Sequence, residues 1–170
     1  MTPAILSWSD NLRAETLFRC LGYEKRGLAD RAQAADAASA LLADLVGKQD
    51  AAGAAFVDGS GLSADNRLSS RQLVGVLQWL RREHGGLLAR SLAISGERGT
   101  LTGVLNSEPL KGRVVAKTGT IRGAKCLSGF LTTDGDEELC FSFLCENPDA
   151  ATVMWPIFEQ ALKILSDWEK

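Results

Sequence analysis

Leu73, Val76, Leu77 and Leu80 return at the spacing of one helix face behind Ser69 and Ser70, either of which can cap. That pattern predicts an amphipathic helix ending at His84-Gly85-Gly86. Upstream, Ser9 and Asp10 can cap a helix over about residues 12–21, stopped by Gly22. The Ala- and Leu-rich stretch 32–46 has favourable helix propensity and runs into Gly47. Residues 54–57 are a candidate short strand, closed by the turn-rich Asp58-Gly59-Ser60-Gly61.

Past Pro109 and Gly112 the rhythm changes to that of strands, predicted at 113–118, 125–132 and 137–146. Asp134-Gly135-Asp136 supplies a tight turn between the last two. The run Leu139-Cys140-Phe141-Ser142-Phe143-Leu144-Cys145 is apolar at both parities, as in a strand covered above and below. Asn147-Pro148-Asp149 opens a closing helix whose face is read as Met154, Ile157, Phe158, Ala161, Leu165 and Trp168. Pro156 marks its first turn or a kink. Hairpin-linked strands between helices predict an antiparallel sheet flanked by helices, in an α/β or layered α+β fold.

Composition narrows the class. The 170 residues are 45% hydrophobic and 24% charged, which suits a single domain over 1–170 with its own core. Nineteen basic against 21 acidic residues leave a net charge of −2, so nucleic acid is not an expected partner. No apolar run reaches the roughly 18 residues of a membrane span, and the N-terminus lacks the basic start and apolar stretch of a signal peptide. As written, the chain is expected in the cytoplasm. Cys20, Cys126, Cys140 and Cys145 form no Cys-x-x-Cys pair, and His84 is the single histidine, so buried thiols are expected rather than a metal site. His84 reads as a helix-terminal or surface residue and Asp58 as a turn residue rather than a cation or phosphate ligand.

Two short motifs remain: Ser9-Asp10-Asn11 before a helix, and Lys117-Thr118-Gly119-Thr120 ending a strand. Each has a bland reading, a helix cap and a strand running into a turn. Together and in this order they match two of the three signatures of active-site-serine penicillin-recognising enzymes. The residue types suit that chemistry. Lys117 and Thr118 offer an ammonium and a hydroxyl to a substrate carboxylate, and Gly119 lets a peptide backbone lie against an edge strand. The Thr120 N–H suits an oxyanion hole, Ser9 a proton relay to a leaving amine, and Asn11 an amide donor to the acyl chain. Trp8 stands next to the first motif and could line a groove.

Further stretches carry a family likeness. Ser9-Asp10-Asn11-Leu12-Arg13-Ala14-Glu15, Asp58-Gly59-Ser60-Gly61-Leu62-Ser63 with Asp65-Asn66-Arg67, Arg98-Gly99-Thr100-Leu101 and residues 116–131 stand in the family's order. On these the chain, from 9 to about 168, resembles the C-terminal part of low-molecular-mass penicillin-binding proteins of the D-alanyl-D-alanine carboxypeptidase and endopeptidase type. The resemblance implies part of a penicillin-binding transpeptidase-like fold, of the serine β-lactamase superfamily. It also implies serine acyl transfer on peptidoglycan stem peptides, reactivity toward β-lactams, no metal or organic cofactor, and a periplasmic site of action. A class A β-lactamase shares both motifs but needs a Glu in the middle region, and none stands between Lys25 and Arg82.

The departure from the family is the third signature. No serine here has Lys three positions later, so the Ser-x-x-Lys nucleophile is missing from this stretch. A fragment that does not acylate on its own is therefore expected. In a second reading it is a non-catalytic peptide-binding or assembly module that keeps the Lys-Thr-Gly groove. The resemblance further implies strands beside the last one, so either self-association or a complementing upstream segment is expected to cover its edge.

Overall fold

The computed structural model describes residues 2–168 except 28 and 148. An antiparallel sheet runs in the order β1 (Ala93–Ile94), β2 (Val114–Ile121), β3 (Ala124–Thr132), β4 (Glu138–Glu146). Its helices are α1 (Thr2–Trp8), α2 (Asn11–Arg26), α3 (Arg31–Val46), α4 (Lys48–Ala51), α5 (Ser70–Ser91) and α6 (Ala150–Ser166). This is the layered architecture expected from the sequence.

Parity along the strands explains the layers. Val114, Ala116, Leu127, Leu131 and Phe141 point to one face and pack with Phe158 and Leu162 of α6. Val115, Phe130 and Cys140 point to the other, where Leu77, Leu88 and Leu92 of the α5 segment cover them. The double apolar parity of β4 thus has the cause proposed for it. Gly129 leaves no room for a side chain against β2: a Cβ there would lie 2.2 Å from the Val115 carbonyl oxygen.

Several boundaries differ from the sequence reading. The helix expected to stop at Gly22 continues to Arg26, and Gly27 ends it at φ 79°, its N–H donating to the Tyr23 carbonyl. Gly22 is buried within the helix, where packing offsets its poor propensity. Likewise α5 does not end at His84-Gly85-Gly86. It kinks at His84 (φ −137°) and resumes to Ser91, because Leu88 still has sheet to cover. Residues 54–57 make one bridge, Ala55 to Arg67, rather than a strand. Helix α1 and the two-residue β1 carry too few residues for a periodic signal. Pro156 lies well inside α6, not in its first turn, and the buried face runs through Met154, Phe158, Leu162 and Leu165. Ile157 and Trp168, assigned to that face, are more than half exposed. Pro148, placed at the start of this helix, lies outside the described residues.

Candidate functional site

Lys117, Thr118 and Gly119 do not end a strand; β2 runs on through Ile121, paired with β3 along its whole length. On its other edge β1 pairs only with Val115 and Ala116. Beyond Ala116, β2 therefore has no strand on that side among the described residues. The two-residue length of β1 exposes the Lys-Thr-Gly-Thr segment as an edge.

The loop between α1 and α2 approaches this region from elsewhere in the sequence. Ser9 takes φ 59°, a left-handed conformation that turns the chain sharply between the two helices. Asp10, not Ser9, caps α2: its carboxylate accepts from the Arg13 backbone N–H at 2.9 Å and from the Arg13 guanidinium at 2.6 Å. The cap holds the Asp10 carboxyl below its usual range. That leaves the Ser9 hydroxyl for another partner. Lys117 Nζ donates to Ser9 Oγ at 2.9 Å, a contact between residues 108 apart in the chain. The same ammonium also donates to the Thr118 carbonyl. Burial lowers the Lys117 pKa from its ordinary value.

A third strand of chain joins them. Gly99 opens the 3-10 turn Gly99–Leu101 at φ 69°, and a Cβ on it would lie 2.3 Å from the Ser7 carbonyl oxygen. The turn is pressed against the end of α1, two residues before Ser9. Its next residue, Thr100, accepts a hydrogen bond from Thr118 Oγ1 at 2.8 Å. Composition and periodicity assign Thr100 no part; only its place in a family-like stretch marked it.

Of the other candidate residues, Asn11 is the first residue of α2 and Thr120 stands on the open part of β2, both exposed. Trp8 is 65% exposed beside Ser9. Gly119 faces Cys126 across the β2–β3 ladder, and burial raises the Cys126 thiol pKa. Asp58 behaves as a turn residue: its carboxylate accepts from the N–H groups of Gly61 and Ser63 and from the Asn66 amide. Gly59 of this turn donates its N–H to Glu15 of α2, and its bare α-carbon lies against Phe18. No cluster of three or more potential metal ligands occurs among the described residues. None of their helices is long and apolar enough to cross a membrane.

Comparison with known proteins decides the kinship. The family model described as D-Ala-D-Ala carboxypeptidase 3 (S13) matches residues 3–161. The chain belongs to the S13 family. Among its relatives, the D-alanyl-D-alanine carboxypeptidase DacB of Haemophilus influenzae is 30% identical over 138 residues, 78% of this chain and 28% of that protein. The D-alanyl-D-alanine carboxypeptidase of an Actinomadura species is 32% identical over 154 residues, 82% of this chain and 26% of that protein. The crystal structure of penicillin-binding protein 4 (dacB) from Haemophilus influenzae matches with a TM-score of 0.87 at 26% identity, over 98% of this chain and 39% of that one. The S13 chain thus spans under a third of these two sequence relatives. It has part of the penicillin-binding fold, the C-terminal part of a low-molecular-mass member.

Proposed function

We propose that this chain forms the carboxylate-binding and proton-relaying side of a serine-type D-Ala-D-Ala carboxypeptidase/endopeptidase site acting on peptidoglycan stem peptides. The observation that carries the reading is the hydrogen bond from Lys117 Nζ to Ser9 Oγ. An ammonium held on a serine hydroxyl stabilises negative charge there and lowers the cost of passing a proton through that oxygen to a leaving amine. Lys117 and Thr118 receive the substrate's C-terminal carboxylate, and Gly119 lets its backbone lie along the open part of β2. The Thr120 N–H faces the developing oxyanion, and Asn11 donates to the acyl chain.

The attacking hydroxyl is supplied from outside these 170 residues, which hold no Ser-x-x-Lys. Losing a nucleophile that works as a unit with its base costs on the order of 10⁶ in rate. The polypeptide alone therefore binds reversibly and does not acylate. Its work lies in the periplasm, where peptidoglycan is found. The outer edge of β4 has no strand beside it among the described residues, and Leu144 is exposed there. An upstream segment or a second copy covers that edge.

The test has two measurements. Intact mass after incubation with benzylpenicillin is expected unchanged, and a penicilloyl adduct would overturn the non-acylating assignment. An N-acyl-D-Ala-D-Ala peptide is expected to bind saturably by NMR titration and to lose its affinity at Thr118→Val. Undetectable binding would leave the assembly role as the better reading.

A further inference from the structure

We infer that Thr100 is a positioning residue for the Thr118 hydroxyl, and that the hydrogen bond between them reverses direction when a carboxylate binds. The inference rests on the reading above, in which Thr118 meets the C-terminal carboxylate of the peptide.

Thr118 Oγ1 donates to Thr100 Oγ1 at 2.8 Å. A hydroxyl carries one proton, and a carboxylate supplies none. In the unliganded protein, then, the proton that Thr118 must offer its ligand points at Thr100. The Thr100 proton itself has no acceptor among the described residues, so it is available. When the carboxylate arrives, Thr118 turns its O–H to the ligand and Thr100 turns its own O–H onto Thr118 Oγ1. No proton changes owner. The product is a chain from Thr100 through Thr118 to the carboxylate, in which each bond polarises the next.

Thr100 cannot withdraw from this role. Gly99 before it is locked against Ser7, Leu101 after it is fully buried, and Thr102 Oγ1 closes the turn on the Gly99 carbonyl at 2.9 Å. Thr118 is held from its other side as well, since its carbonyl accepts from the Lys117 ammonium. The reversal needs nothing more than a turn of the two hydroxyl rotors. The device acts most strongly on a charged acceptor, because charge-assisted bonds are about twice as strong as neutral ones.

The test compares an N-acyl-D-Ala-D-Ala peptide with the same peptide ending in a C-terminal amide, titrated by NMR into the 170-residue chain. Thr100→Val is expected to weaken the acid about five- to ten-fold and the amide less than about two-fold. Thr100→Ser, which keeps the hydroxyl, is expected to restore the acid's affinity. Equal loss for acid and amide would mean a merely structural role and would overturn the inference. An unchanged acid affinity in Thr100→Val, with Thr118→Val still deficient, would overturn it and leave the function above standing. Wild-type protein that does not prefer the acid to the amide would overturn both.

Discussion

In the core that the sheet and α6 share with the segment leading into β2, Leu101, Leu110, Leu127, Leu131 and Leu162 are removed from solvent altogether. Between α2 and α3 the buried set is smaller: Phe18, Ala34, Ala37 and Leu42. There Glu15 does much of the joining. Its carboxylate accepts from Arg19 on its own helix, from Arg31 on α3 and from the Gly59 N–H of the Asp58 turn. A buried leucine contributes roughly 2 kcal/mol, several times a typical solvent-facing ion pair. The proposed site draws on both regions, Lys117 and Thr118 from the apolar one and Asn11 from the polar one. One half of the site is thus held by packing and the other by charge, and the two should respond differently to mutation and pH.

The largest expected effect tests the packed half. Leu131→Ala should lower the unfolding free energy by about 3 kcal/mol, measured by urea denaturation. A loss below about 1 kcal/mol would mean that the sheet is less close-packed than its burial indicates. Next, Glu15→Gln should cost about 1–2 kcal/mol through the bonds to Arg31 and Gly59. In the folded protein the Arg31 guanidinium, foremost, with the Gly59 N–H and Arg19, holds the Glu15 carboxyl at about 2, down from 4.5. A carboxyl whose pKa falls on folding stabilises fully above its unfolded value and loses that contribution as pH drops toward the folded one. Wild type should therefore lose stability between about pH 4.5 and 2, and Glu15→Gln should flatten that limb. An identical acid limb in the variant would remove Glu15 from its central place.

Lys117→Met is expected to shift stability by less than about 1 kcal/mol, since it removes a desolvated charge along with two hydrogen bonds. It should nonetheless abolish binding of the D-Ala-D-Ala peptide. A variant that binds like wild type would separate this lysine from carboxylate recognition. The smallest effect leaves the fold untouched. Cys20 on α2 is exposed, whereas Cys126 and Cys140 in the sheet are partly buried, with their thiol pKa values raised, Cys140 to about 11. A thiol reagent at pH 8 should modify Cys20 well before those two; simultaneous reaction would show that the sheet opens as readily as the helices.

Local chemistry wrote several features into the sequence. The cap at Ser69, the double parity of β4 and the three long strands each follow from residues close in the chain, so their pattern is readable. The stops were less legible. Gly22 and Gly85-Gly86 are poor helix formers whose local cost was outweighed by contacts with distant elements, a term that composition does not carry. The site followed the same division. Ser9 and Lys117 were recognisable by motif, but that Asp10 caps α2 and frees Ser9 for Lys117 depended on the left-handed turn at Ser9.

The order of residues by itself determined the kinds of group available to the site and the strand that would carry most of them, because alternation and short motifs are properties of neighbours. Only the folded chain decided that a two-residue β1 would leave Lys117 to Ile121 without a strand on one edge among the described residues, and that Gly99 would press Thr100 onto Thr118. Both depend on the distance between segments far apart in sequence. That distance is set by the packing of the whole core.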